Sequence, residues 1–162
     1  MTDPSTRAAV RLNVPTPYLR VESAAGAIAF YAAVFGAREI VRLVEPSGRV
    51  AHAELRFGVE HEASLMLSEE YPEFGLRGPR AWGGSGVALQ LYVDDVDAVC
   101  ARAVAAGATL VRPPALDAFG DRAAKVVDPC GHEWMVATRL ETISVPEMQA
   151  RFRQPGAATP EA

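Results

Sequence analysis

The sequence predicts an α+β protein built from two modules, each made of a strand, a helix and three further strands. Three observations lead to this prediction. The chain has 162 residues, of which 49% are apolar and 22% are charged, so it can bury a core of ordinary size. One order of motifs is written twice, roughly 72 residues apart. Each copy combines short β-branched runs with one stretch that has apolar residues at helical spacing.

Capping residues mark the first strand and the helix of each module. The strand is followed by a polar residue, Ser23 in one module and Asp95 in the other, whose side chain can accept the unpaired N–H groups of a helix's first turn. We expect the two helices to end at Gly36 and Gly107, because glycine readily adopts the left-handed conformation of a helix C-terminus. A β-branched strand follows each helix.

The last strands of the two modules also correspond. In the first module, residues 52–57 precede a strand over residues 64–68. In the second module, residues 125–127 lead through Gly131 to a strand over residues 133–137. An Asp-Pro-X-Gly sequence before that last strand is typical of a turn.

These elements set the expected boundaries. We expect the first module to span residues 14–70 and the second to span residues 87–141. Residues 71–86 are rich in Gly and Pro and are expected to form a linker loop. Residues 1–13 are expected to be flexible, and residues 142–162 to form a tail with one short helix and a disordered end.

Composition excludes several classes of protein. Sixteen Lys and Arg residues against twenty Asp and Glu give a net charge of −4, whereas nucleic-acid binding needs a basic face. No stretch approaches the roughly 18 apolar residues of a membrane span, and the first residues lack the pattern of a signal peptide. Two cysteines are too few for a disulfide framework. We therefore expect a cytoplasmic protein with no nucleic-acid partner and no membrane association.

Several short motifs of the two modules form a recognisable set. They are Thr16-Pro17-Tyr18-Leu19, Phe35-Gly36-Ala37, His52-Ala53-Glu54-Leu55, Leu91-Tyr92-Val93-Asp94-Asp95 and Asp128-Pro129-Cys130-Gly131-His132. With the duplicated module, they resemble the vicinal oxygen chelate superfamily of glyoxalases, bleomycin-resistance proteins and dioxygenases, and within it the PhnB-like branch. The resemblance implies two cupped, curved mixed sheets with helices outside, and a homodimer.

The resemblance also implies where a metal would bind. Catalytic members hold one divalent metal in the cup, and the corresponding ligand positions here are Thr16, Met66, Ala88 and Met135. None is His, Glu or Asp, and a hard divalent cation needs oxygen or imidazole donors. We therefore expect no metal cofactor at these positions. A metal held by relocated ligands around His52 is an alternative.

His52 and Glu54 are candidate catalytic residues. Because they are two apart on a predicted strand, their side chains point to the same face of the sheet. They can act as a general acid/base pair, supply part of a metal site, or form a hydrogen-bonded cluster that only orients the sheet. The pair alone falls short of the three protein ligands that catalytic metal sites normally have.

The same alternation, extended to the other strands, predicts ligand-binding residues. They are Tyr18, Arg20, Met66, Gln90, Tyr92 and Met135. An apolar lining with a few polar groups is typical of a small-molecule site, although these residues can instead fill the interior or pack at a dimer interface. Trp82, on the Gly-rich loop, is a further candidate as a lid residue or as an anchor of the linker.

Three hypotheses about function follow. The first is a protein that binds a small hydrophobic or planar molecule in the sheet cavity without the superfamily's usual metal site. The second is a metal-independent isomerase- or lyase-type enzyme that uses His52 and Glu54 as acid and base. The third is a metal-dependent glyoxalase- or dioxygenase-type enzyme with relocated ligands. The residues alone leave open whether the protein is an enzyme.

Overall fold

The computed structural model describes residues 14–58 and 63–154. The chain divides into two compact units, residues 1–84 and 85–162. Residues 1–13 and 155–162, which we expected to be flexible or disordered, lie outside the described residues.

The first unit contains a four-stranded mixed sheet and one long helix. Its elements are β1 (Tyr18–Val21), α1 (Ala24–Phe35), β2 (Arg38–Val44), β3 (Val50–Phe57) and β4 (Ala63–Glu69). The strand order is β1-β4-β3-β2. β1 and β4 run parallel, and the other two pairs are antiparallel.

The ends of α1 follow from the sequence signals. The Ser23 hydroxyl accepts a hydrogen bond from the N–H of Gly26 at 3.2 Å. Gly36 ends the helix with a φ of 69°, a conformation that costs glycine little because it has no Cβ. Both cap predictions for this helix are confirmed.

The first sheet presents one face to α1. Ala53, Leu55 and Phe57 on β3 are buried, and Leu67 on β4 is completely buried. α1 contacts β2, β3 and β4. Side chains of successive strand residues point to opposite faces, so His52 and Glu54 lie on the other side of the sheet, as the alternation of the sequence predicts.

The second unit repeats this arrangement and adds a C-terminal helix. Its elements are β5 (Ala88–Tyr92), α2 (Val96–Ala105), β6 (Thr109–Leu116), β7 (Asp121–Val127), β8 (Glu133–Arg139) and α3 (Val145–Phe152). The strand order is β5-β8-β7-β6, with β5 parallel to β8. The two mixed sheets with their helices confirm the predicted α+β class. Within the described ranges, no helix is both long and apolar enough to cross a membrane.

The core of the second unit contains Trp134. This side chain is 3% exposed, and its indole Nε1 donates a hydrogen bond to Asp128 Oδ2 at 3.0 Å. Val126 and Val136 are completely buried on the same face of the sheet. The prediction that Trp134 belongs to the core is confirmed by this burial. α2 contacts β7 and β8 of the same sheet, and packing of Trp134 against that helix stays a prediction.

The segment that we expected to be a linker loop contains two turns of 3-10 helix, Pro72–Phe74 and Pro79–Trp82. Tyr71 connects this segment to the first unit. Its hydroxyl donates to Glu45 Oε1 at 2.6 Å, and the guanidinium of Arg49 lies 4.5 Å from the centre of its ring.

Candidate functional site

Five of the predicted site residues share one face of the first sheet. The register pairs Tyr18 with Met66 between β1 and β4, and Glu54 with Met66 between β3 and β4. Paired residues of neighbouring strands project to the same face, and Arg20 and His52 follow by alternation. We call this side, opposite α1, the far face of the first sheet.

Three of these side chains form a hydrogen-bonded chain. Tyr18 Oη lies 2.9 Å from His52 Nδ1, and His52 Nε2 lies 3.2 Å from Glu54 Oε1. An ionised carboxylate only accepts hydrogen bonds, so the geometry assigns the imidazole proton to Nε2. Nδ1 is then the acceptor, and the Tyr18 hydroxyl donates to it.

Exposure increases along this chain. The Glu54 side chain is 13% exposed, the His52 side chain is 19% exposed, and Tyr18 is 43% exposed. The Tyr18–His52 contact is therefore the exposed end of the hydrogen-bonded chain, and the His52–Glu54 contact is its partly buried end. A ligand at the exposed end can reach the Tyr18 hydroxyl, which is backed by an imidazole and a carboxylate that are largely shielded from water.

Arg20 is a further charged residue of this face. Its guanidinium carbon lies 4.7 Å from the centre of the Tyr18 ring, a distance at which a cation is attracted by the ring. Its Nη1 donates to the hydroxyl of Ser68, a completely buried residue on β4. The Ser68 hydroxyl in turn donates to the backbone oxygen of Glu69 at 2.8 Å. Arg20 is therefore fixed from two sides.

The residues at the superfamily's metal positions do not fit a divalent cation. Thr16 and Met66 stand in the first unit, and Ala88 and Met135 in the second, so the set offers one hydroxyl, one methyl and two thioethers. His52 and Glu54 provide two harder donors. Across residues 14–58 and 63–154, no group of three or more His, Cys, Asp and Glu side chains is placed to hold a metal.

The remaining predicted residues lie mostly in the second unit. Gln90 and Tyr92 on β5 share a face with Met135 on β8, since the register pairs Gln90 with Met135. Trp82 lies in the first unit at the end of a 3-10 turn, where it is 68% exposed and donates to the backbone oxygen of Arg77 at 3.4 Å. Their contact with a ligand stays a prediction.

Two residues that hold Tyr92, Asp121 and Arg139, were not predicted as site residues from the sequence. The Tyr92 hydroxyl donates to Asp121 Oδ2 at 2.8 Å and accepts from Arg139 Nη2 at 2.7 Å. Arg139 Nε donates to Asp121 Oδ1, and Asp121 is only 3% exposed. The alternation of β8, continued beyond residue 137, reaches Arg139 on the face that carries Met135. That continuation was the available signal.

This cluster changes the acid–base properties of its members. The hydrogen bond to Asp121 raises the pKa of Tyr92 above its ordinary value, and burial raises it further. The pKa of Arg139 is raised most by its hydrogen bond to Asp121 and next by its hydrogen bond to the Tyr92 hydroxyl. At neutral pH the cluster therefore consists of a neutral phenol and a charged guanidinium.

Comparisons with known proteins agree with the fold. The family model of the Glyoxalase/Bleomycin resistance protein/Dioxygenase superfamily matches residues 11–136. An uncharacterized protein of Mycobacterium bovis is 37% identical over 144 residues, which cover 87% of this chain and 93% of that protein.

Two solved structures extend this comparison. The structure of an Arabidopsis thaliana gene product is 28% identical, has a TM-score of 0.58, and covers 78% of this chain and 99% of its own. The PhnB protein of Bacillus cereus is 17% identical with a TM-score of 0.59, covering 76% and 98%. The second likeness shows a shared fold, so membership of the PhnB-like branch stays a prediction. By its fold and by the match over residues 11–136, the chain belongs to the glyoxalase/bleomycin resistance protein/dioxygenase superfamily.

Proposed function

We propose that this protein binds a small hydrophobic or planar molecule on the far face of the first sheet, without the superfamily's usual metal site. The observation that carries the proposal is the Tyr18–His52–Glu54 chain beside Met66. A ligand's polar atom would bond to the Tyr18 hydroxyl. Its apolar part would lie against the Met66 thioether, which is polarizable and makes favourable contacts with aromatic rings.

Preorganisation supports this proposal. His52 has a partner at each ring nitrogen, so its ring cannot rotate without breaking a hydrogen bond. Tyr18 is also in contact with the guanidinium of Arg20. A site whose polar groups are already oriented loses little conformational entropy when the ligand binds.

The test is a binding titration with planar fluorescent probes of different charge, namely anilinonaphthalene sulfonate, thioflavin T and neutral Nile red. We expect at least one probe to bind saturably, and Met66→Ala to weaken it. Tyr18→Phe keeps the ring and removes the hydroxyl, so a probe that bonds to this group should bind about three- to tenfold more weakly.

Tyr71→Phe is the matched control for this experiment. It removes a tyrosine hydroxyl from the same unit, and that hydroxyl bonds to Glu45 rather than to the far-face residues. We expect unchanged probe affinity in this variant. Saturable binding that is equally strong in wild type, Met66→Ala and Tyr18→Phe would contradict the proposed location, and an absence of saturable binding by every probe would contradict the proposed function.

A second candidate function is metal-independent proton transfer. The increase in exposure from Glu54 through His52 to Tyr18 along the hydrogen-bonded chain favours it. If a substrate C–H lies against Tyr18 Oη, this oxygen can take the substrate proton while its own proton passes to His52 Nδ1. Glu54 would stabilise the resulting imidazolium through the hydrogen bond from Nε2. Returning the proton to a different carbon completes an isomerisation.

Deuterium exchange tests this candidate without a known product. Small ketones and aldehydes with acidic C–H groups would be incubated with the protein in D2O, and loss of the C–H signal followed by NMR. We expect exchange to be accelerated by wild type and by Tyr71→Phe, and to fall by about a hundredfold or more in His52→Gln. Exchange at the uncatalysed rate with all substrates would count against proton transfer.

The proposal also includes a cytoplasmic location, membership of the PhnB-like branch and a homodimer. Edge strands support the dimer: Leu43 and Val44 on β2 and Leu116 on β6 are each more than half exposed, and edge strands with exposed apolar residues favour association. Sedimentation velocity should give a mass near twice the 17.3 kDa of one chain. A monomeric mass at micromolar concentration would contradict the dimer.

A further inference from the structure

A groove of about 620 Å³ lies within the second unit, and none of the first-sheet residues of the proposed function lines it. It is lined by Tyr92, Val93, Asp94, Thr138 and Arg139, where the parallel strands β5 and β8 end. Its volume falls within the range of roughly 300–1,000 Å³ that small-molecule sites occupy. Its lining combines one guanidinium, one carboxylate, two hydroxyls and the apolar surfaces of Val93 and the Tyr92 ring.

The cation of this groove is held in a fixed position. Arg139 uses Nε and Nη2 for its bonds to Asp121 and Tyr92, and its guanidinium lies 5.1 Å from the centre of the Tyr92 ring. Its Nη1 bonds to no other group among the described residues, and the side chain is 44% exposed. Because Asp121 is buried and holds one edge of the guanidinium, the edge that carries Nη1 faces solvent in a fixed orientation.

The carboxylate of the groove belongs to Asp94. Asp94 follows the end of β5 by two residues and lines the same groove as Arg139. Arg139 nevertheless pairs with Asp121 on the adjacent strand instead. Asp94 is exposed and has no hydrogen bond or ion pair within residues 14–58 and 63–154. Among the described residues, the groove therefore holds an unpaired carboxylate, Asp94, and a guanidinium that keeps one free nitrogen beside its ion pair with Asp121.

We propose that this groove is a second ligand site and that it takes a zwitterionic small molecule of the amino-acid class. The ligand's carboxylate accepts from Arg139 Nη1, its ammonium donates to Asp94, and its hydrocarbon part lies against Val93 and the edge of the Tyr92 ring. Hydrogen bonding selects this class, because among the described residues Arg139 Nη1 is a free donor for a carboxylate although Asp121 balances the guanidinium charge, and Asp94 is a free acceptor for an ammonium. A simple anion or a simple cation can use only one of these two groups. A zwitterion satisfies both groups.

Backbone amide NMR on the full chain tests this inference with defined probes. The probes are the ω-amino acids from glycine to 6-aminohexanoate, with hexanoate and hexylamine as analogues that each lack one charge. We expect saturable shifts of the Val93, Asp94 and Thr138 amides with at least one amino acid. The matching analogues should bind about tenfold more weakly, since each loses one charge-assisted hydrogen bond.

Two exposed carboxylates provide a matched pair of variants. Asp94→Asn removes the proposed ammonium partner and should weaken the best amino-acid probe about tenfold. Asp95→Asn changes the neighbouring residue, which caps α2 through Ala98 N–H; asparagine caps equally well, so binding should be unchanged.

Either of two results would overturn the inference. The first is that no amino-acid probe shifts the three amides saturably. The second is that hexanoate or hexylamine binds as tightly as the best amino acid. Both outcomes leave the proposed function untouched, because the fluorescent probes and variants that test it concern residues of the first unit.

Discussion

Asp128→Ala is expected to be the most damaging single substitution in the second unit. Asp128 is 3% exposed, and its carboxylate accepts hydrogen bonds from backbone and side-chain donors. Two come from the backbone N–H groups of Cys130 and His132, at 2.8 and 3.0 Å from Oδ1. Another comes from the Trp134 indole, 3.0 Å from Oδ2. One side chain thus holds the turn before β8 and orients the largest core residue.

The size of the effect follows from the burial of the three donors. His132 and Trp134 are buried, and a buried donor without an acceptor costs about 1–3 kcal/mol. The N–H of the half-buried Cys130 can reach water and costs less. Part of this loss is offset because a buried carboxylate no longer has to be desolvated. We expect Asp128→Ala to lower the free energy of unfolding by about 3–5 kcal/mol.

Urea unfolding followed by circular dichroism measures this change. Asp128→Asn should cost less, because its oxygen still accepts from both backbone N–H groups, although its NH2 faces another donor at Trp134. In a Trp134→Phe background, Asp128→Ala should cost about 1–2 kcal/mol less than in wild type. A loss below about 1 kcal/mol for Asp128→Ala, or equal losses for Ala and Asn, would refute the reasoning.

Three further predictions rest on single positions. Leu67→Ala empties a completely buried site and should cost about 2–5 kcal/mol in urea unfolding; a loss under about 1 kcal/mol would contradict the burial. Cys130 should react with a thiol reagent faster than Cys100, since burial, followed by the charge of a nearby carboxylate, raises the pKa of the Cys100 thiol; equal rates would be inconsistent with this. The raised pKa of Tyr92 contributes stability that is complete below pH 10, the ordinary tyrosine value, and is lost as pH rises through the higher folded value. In an ultraviolet titration that follows tyrosinate formation, wild type should therefore show a transition above pH 10 that Tyr92→Phe lacks. If the transition lost in Tyr92→Phe lies at or below pH 10, the result would contradict the structure.

Local signals in the sequence are sufficient to predict most of the helices and strands of the fold. Ser23 and Gly36 define α1 because capping depends on a side-chain oxygen and on a positive φ, both of which can be read from residue type. Strict alternation along β3 likewise predicted that His52 and Glu54 would share a face. These features depend on neighbours close in sequence, so no tertiary information was needed.

The groups that hold the candidate sites in place were not predictable in the same way. Asp121 and Arg139 meet across two antiparallel strands, and the sequence does not state the register that pairs them. The partner that fixes Arg20 is Ser68, 48 residues away along the chain. A serine on a strand carries no signal of this role, because its hydroxyl bonds equally well to water or to its own backbone.

Methyl NMR of methionine tests the central claim most directly. The chain has four methionines, and Met66 lies beside the Tyr18–His52–Glu54 chain while Met148 lies on α3. The protein is labelled at the methionine methyl carbon and titrated with a planar probe that has been found to bind. We predict that the methyl signal of Met66 shifts saturably, that the signal of Met148 does not change, and that the probe binds more weakly to Tyr18→Phe. A saturable shift of Met148 with Met66 unmoved would contradict a ligand site on the far face of the first sheet.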